Sequence, residues 1–300
     1  MDLADGAMVE AKLREELARE TRALGSVVPV LRHMLANEGQ RLVTDAILAR
    51  VRGMLADLAA QLLAIGEGRD PALRHAESEG QGSDALAEAL AGDAPLLAHC
   101  HALATESQLA ERLHLNRAID PVLSPLLQEL IASDNPVIAE LAMNALAAQS
   151  RFIQTQRRMS LPLGELPPEL FHAITAAHVP DREALRRLCA GYDEGASRLG
   201  LLARLASAMR RGAIAALALD HAGPALFASA LAALARSARE GVVLACHEGQ
   251  VARLALLLRS AGLDADAVAR QFLLLDPAAR PLHDLAAISP ERARLLLDAG

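Results

Sequence analysis

Three hundred residues give ample material for one large or two ordinary domains, with a sizeable buried core. Aromatic residues make up only 2% of the chain (no Trp, one Tyr, four Phe), and Ala and Leu dominate, a balance that favours helices over sheets. A formal charge of −7 and a pI near 5.8 supply no global field toward phosphate backbones, so nucleic-acid binding is not expected.

The opening residues, "MDLADGAMVEAKLREELARE", are acidic and lack the apolar core of a secretory signal. Two helices are predicted at 8–24 and 27–37, separated by Gly25 and Ser26. The clearest periodicity follows over 41–65, where Val43, Ile47, Val51, Met54, Leu58 and Leu62 recur at steps of three or four. That pattern predicts an amphipathic helix of about seven turns. With the two shorter helices it forms an N-terminal bundle, 1–65. The short preceding helices are expected to leave part of the stripe uncovered, making Ile47, Val51, Met54 and Leu58 the candidate interface of a two-fold homodimer.

Residues 66–83 combine Gly66, Gly68, Gly80 and Gly82 with charge and few apolar side chains, and read as a flexible linker or loop. Helices resume at 84–91 and 94–116. The second carries His99, Cys100, His101, Glu106 and His114, all zinc-ligand types. On a helix, however, positions i and i+2 point about 200° apart, so His99 and His101 cannot grip one ion; surface histidines flanking a buried cysteine are the expectation. No metal site is assigned.

The stretch "DPVLSPLLQELIASDNPVIAELAMNALAAQS", 120–150, reads as a helix hairpin. Leu123, Leu126, Leu127, Leu130 and Ile131 mark one inner face. Val137, Leu141, Ala142, Ala145 and Leu146 mark the return helix, which Pro136 starts after an "SDNP" turn. Such a hairpin needs stacked neighbours, as in a HEAT repeat. Arg151, Arg157 and Arg158 fall toward the C-terminal end of that return helix, where cations suit the helix dipole. Pro162, Pro167 and Pro168 then break it. Residues 151–168 therefore read as a packed connection between a hairpin domain, 84–160, and a C-terminal helical domain, 161–300. Phe152 is the sole aromatic among these arginines, which makes no platform for stacking successive bases.

Further helices are predicted at 168–179, 181–190, 194–209, 213–220, 224–237, 241–260, 264–274 and 290–298. "CAGYDEGASRLG", 189–200, holds the sole tyrosine, and glycines loosen it. Tyr192, Asp193 and Arg198, with Arg157 and Arg158, form the candidate surface for a partner or ligand, Tyr and Arg being enriched at binding hot spots. The longest uncharged stretch of the apolar C-terminal region, Ala222–Ala235, is too short to span a bilayer.

Two long stretches, "SPLLQELIASDNPVIAELAMNALAAQSRFIQTQRRMSLPLGELPPELFHAI" and "YDEGASRLGLLARLASAMRRGAIAALALDHAGPALF", resemble segments of a bacterial domain-of-unknown-function family of HEAT-like helical repeat proteins, typical of alphaproteobacteria. The resemblance implies an α-helical repeat architecture and supplies no activity, cofactor or catalytic residues.

Signatures of catalysis are missing: GxxxxGK[ST], GxGxxG after a strand, HExxH, GxSxG and a calcium loop do not occur. Asp264 and Asp266 lack the glycine and terminal glutamate of a calcium loop; helix capping explains Asp264. His33 lacks the neighbouring acid and following proline of a phospho-accepting histidine. Asp220 and His221, with Cys246, His247 and Glu248, could form a Cys-His-carboxylate arrangement only if the two turns met in space. Cys100, Cys189 and Cys246 form neither a CxxC pair nor a disulfide framework, as in a reduced cytoplasm. The expectation is an all-α protein: an N-terminal bundle, HEAT-like hairpins and a C-terminal helical domain. It acts as a non-enzymatic regulatory adaptor or scaffold for a protein partner, without cofactor or membrane span. A hydrolytic or metal-dependent enzyme and a small-molecule sensor are the alternatives.

Overall fold

The computed structural model describes residues 3–36, 44–71, 81–246, 250–275 and 285–299. These residues are all helical and loop; no strand occurs among them. In chain order the helices are α1 Leu3–Ala36, α2 Asp45–Gly66, α3 Gln81–Ala91, α4 Ala94–Arg117, α5 Pro125–Ile131, α6 Pro136–Arg157 and α7 Pro168–His178. They continue with α8 Arg182–Gly191, α9 Arg198–Ala208, α10 Leu219–Ala235, α11 Arg239–Ala245, α12 Val251–Ser260, α13 Ala265–Leu275 and α14 Pro290–Asp298. No helix among the described residues is long and apolar enough to cross a membrane.

The chain groups into two compact units that are not consecutive. Unit 1 gathers Met1–Val27, Thr105–Leu146 and Leu202–Gly300; unit 2 gathers Val28–Ala104 and Ala147–Leu201. This replaces the consecutive division at 65, 83 and 160. Helices α1, α4, α6 and α9 each run from one unit into the other, which segment-by-segment reading of breakers does not reveal.

Helix α1 passes through Gly25 and Ser26 without a break, where two helices were expected. The Ser26 hydroxyl donates to the Ala23 carbonyl at 2.7 Å, so it supports the helix rather than ending it. Pro29 also lies inside α1, and the carbonyl it leaves without a donor is that of Gly25.

Unit 2 is built on α2. Thr44 caps it, its hydroxyl accepting from the Ile47 N–H. At the other end Gly68 takes a left-handed conformation (φ 69°), with Gly68 N–H on Ile65 O and Arg69 N–H on Ala64 O, the double closure of a Schellman motif. Of the linker reading of 66–83, residues 72–80 lie outside the described residues, while Gly66 ends α2 and Gln81 begins α3. The apolar stripe is covered within the chain itself: Ile47, Val51, Met54 and Leu58 are all buried, with α3 packed on α2 and Gln156 against Met54. The candidate dimer interface on these four residues is thereby corrected. A helix stripe this apolar finds its cover intramolecularly, here from segments distant in sequence.

The 151–168 stretch lies inside unit 2 and is not a connection between domains. Helix α6 ends in a Schellman motif with Met159 left-handed (φ 54°), Met159 N–H on Gln156 O and Ser160 N–H on Thr155 O. The chain then runs along α2. Asp57 Oδ2 accepts from Leu161 N–H at 2.9 Å; Gln61 donates to Leu161 O at 2.9 Å and accepts from Leu163 N–H at 2.8 Å. The prolines that exclude helix thus leave a segment whose backbone groups are satisfied by two α2 side chains.

Unit 1 centres on α10, most of whose residues are buried, with α5, α11, α12 and α13 packed on it. Gly223 interrupts α10 at φ 69°, ψ 163°, and a β-carbon there would meet Ser124 Cβ at 3.1 Å. Within this unit Leu13 and Leu17 of α1 pack with Ala252, Leu256, Ile288, Ala293 and Leu296. The single helix expected over 241–260 is two, α11 and α12. The N-terminus of α12 is capped from afar: the Glu20 carboxylate accepts from Ala252 N–H at 2.8 Å and Arg253 N–H at 2.7 Å. The expected helix 213–220 is mostly a 3-10 segment, Arg210–Leu217.

Candidate functional site

In unit 1 a carboxylate and a guanidinium form a buried pair. Arg239 of α11 donates to Glu106 of α4 with both terminal nitrogens, at 2.8 and 2.7 Å, and its Nε donates to Ser229 Oγ at 2.8 Å. Burial works against the Arg239 charge, yet the Glu106 carboxylate holds its pKa above the usual arginine value. Cys246 lies in the field of these groups and of Arg112. Burial nevertheless pushes its thiol up to about 12, which leaves essentially no thiolate near neutrality. The sequence offered no signal for the Glu106–Arg239 pair, because 133 positions separate the partners.

Among the described residues, Asp220 and His221 are bound to other partners than Cys246. Asp220 accepts from Arg270 at 2.8 Å, and His221 faces Glu129 at 3.0 Å near the surface. His247 and Glu248 lie outside the described residues. The histidines flanking Cys100 are buried, not on the helix surface as expected, and burial pushes the Cys100 thiol to about 12. Among the described residues no group of three or more His, Cys, Asp and Glu stands close enough to hold a metal ion.

Unit 2 holds a cavity of about 390 Å³ beside the C-terminal end of α6. Arg151, Arg158 and Arg198 line it with Glu165, Gln156 and Phe152. Arg198, at the first position of α9, is 2% exposed. Its guanidinium lies 3.6 Å above the Phe152 ring and donates to Gln149 Oε1 at 3.0 Å. Its backbone N–H donates to Glu165 Oε2 at 2.8 Å, so the one carboxylate of the lining caps α9. Leu103, Leu161 and Leu199 supply apolar wall.

Of the residues read as a partner or ligand surface, the structure brings Arg158 and Arg198 into this cavity. Arg157 is exposed at the end of α6. Tyr192 is packed rather than presented: its ring stacks on Phe171 at 4.0 Å between centroids, and its hydroxyl donates to Leu166 O at 2.8 Å. Burial and then the nearby carboxylates of Glu194 and Glu169 raise its pKa. Asp193 caps the following 3-10 turn through Gly195 N–H at 2.8 Å. Arg151 and Glu165 were missed as lining residues; the i, i+7 spacing of Arg151 and Arg158 on one helix face was the available signal. A second cavity of unit 2, about 530 Å³, is bordered by Arg32, Arg52, Leu55 and Glu88, and Arg32 donates there to Gly92 O at 2.8 Å. No family model, curated protein or solved structure matches the chain.

Proposed function

We propose that the chain is a non-enzymatic helical interaction protein, a regulatory adaptor or scaffold that holds a protein partner. One observation carries this reading: the chemically versatile side chains are engaged in structural roles. Glu106 and Arg239 neutralise one another bidentately, Asp220 and His221 are held by Arg270 and Glu129, and the Cys100 and Cys246 thiols are raised to about 12. Helix pairs of the HEAT-like kind that residues 120–150 resemble would supply the scaffold, and exposed Arg157 a basic contact point for an acidic partner surface.

Reconstitution tests the reading. A partner identified by cross-linking in the native cell is expected to form a complex of fixed stoichiometry with the purified chain, weakened by Arg157→Glu. Saturable turnover across a panel of ester, peptide and phosphoester substrates, abolished by Cys246→Ala, would overturn it.

A further inference from the structure

The geometry points to a second activity: the 390 Å³ cavity of unit 2 binds a small amphiphilic carboxylic acid, its carboxylate held by Arg151, Arg158 and Arg198 and its apolar body against Leu103, Leu161 and Leu199. This stands apart from the adaptor reading, and the residues that would hold the acid are not the residue on which that reading is tested.

Charge is the first ground. In a chain of net charge −7, three arginines line one concave site. Neither Arg151 nor Arg158 has a carboxylate partner among the described residues. The one acid of the lining, Glu165, already accepts the Arg198 backbone N–H. Against three arginines the lining sets one carboxylate, so positive charge is in excess at the cavity.

The second ground is construction. Arg198 is almost fully buried, stacked on Phe152 and tied to Gln149, so one cation is fixed before any ligand arrives. Gln156 is 2% exposed and borders the same cavity, and its Oε1 has no donor among the described residues. A buried amide oxygen without a donor is unfavourable, and a ligand N–H or O–H beside the carboxylate satisfies it after a small side-chain movement. Volume and lining choose the size: cavities of roughly 300–1,000 Å³ take small organic molecules. The planar, forked guanidinium matches a carboxylate. Apolar wall beside the cations selects an acid with a short hydrocarbon body over a bare inorganic anion.

N-acetyl-L-leucine combines carboxylate, N–H donor and branched apolar body, and serves as the probe, with hexanoate beside it. Titration calorimetry on the full chain should show saturable one-to-one binding of both acids and binding at least about tenfold weaker for the N-acetyl-L-leucine methyl ester. Arg151→Gln and Arg158→Gln, both at exposed positions that tolerate substitution, are each expected to weaken the acid about tenfold. Arg157→Gln on the same helix end, outside the cavity, should leave it unchanged. Equal affinity for acid and ester, equal loss in the Arg157 variant, or saturation by neither acid would overturn the proposal. So would inorganic phosphate binding in place of the acids with the same arginine dependence.

Discussion

At the scale of single residues, two positions hold more of unit 1 and unit 2 in place than their composition suggests. Gly53 sits in the middle of α2, and a β-carbon there would lie 2.4 Å from Met159 Cβ and 2.7 Å from the Met159 carbonyl oxygen. The second contact is with backbone, which cannot rotate away. Gly53→Ala is therefore expected to destabilise unit 2 by about 1–3 kcal/mol despite alanine's better helix propensity, read as a lower urea midpoint. An unchanged midpoint would mean that the α6 terminus shifts freely past α2. In unit 1, Glu106→Gln leaves Arg239 charged in a buried site, hydrogen-bonded to neutral groups: the new amide oxygen, Ser229 and the Ala225 carbonyl. The expected loss is about 3–5 kcal/mol, whereas the double replacement Glu106→Met with Arg239→Met loses far less, because no buried charge remains. Equal losses for the single and double variants in denaturant titrations would show that shape rather than charge governs the site.

At the scale of elements, the helix α12 owes its start to Glu20 on α1, and this contact titrates. Burial raises the Glu20 pKa above its ordinary 4.5, opposed by the hydrogen bonds from the Ala252 and Arg253 N–H groups. Between 4.5 and the raised value the folded chain binds this proton more tightly than the unfolded chain does. The sign of linkage is then that stability falls as pH rises through that window. Wild-type protein should lose thermal stability relative to Glu20→Gln over that rise, and Glu20→Ala should lose about 1–2 kcal/mol at neutral pH through the missing cap. A pH-independent gap between wild type and Glu20→Gln would refute the linkage. This cap also marks where sequence reading stopped. The all-helical class and the location of α2, α4, α6, α7, α8, α13 and α14 were legible, because apolar periodicity and proline starts are local signals. The division of 241–260 into α11 and α12 was not, since the carboxylate that caps α12 lies 232 positions away. Likewise the bundle stripe was legible as apolar, but not what covers it. Val51→Glu now introduces a charge at a fully buried position inside one chain, so it should unfold unit 2 rather than separate two copies.

At the scale of the whole molecule, connectivity decides what can fold alone. A break after Ser160 is where proline content suggests a boundary, and a fragment pair 1–160 and 161–300 is the natural experiment. Each unit, however, draws chain from both sides of that point. Unit 1 joins Met1–Val27 and Thr105–Leu146 to Leu202–Gly300, and unit 2 joins Val28–Ala104 to Ala147–Leu201. The fragment 161–300 would carry α10 without α5, and Arg239 without Glu106. The fragment 1–160 would carry Asp57 and Gln61 without the Leu161 and Leu163 backbone they bind, and Phe152 without Arg198. Each piece would expose the apolar surface the other covers and leave buried charges uncompensated, so local helix propensity alone would have to sustain it. Isolated helices of this length are marginal in water. The separate fragments are expected to show reduced helicity by circular dichroism and no cooperative thermal transition, while mixing or co-expressing them restores both. A cooperative transition in isolated 161–300 at the midpoint of the intact chain would instead establish that segment as an autonomous domain and restore the boundary that the prolines suggest.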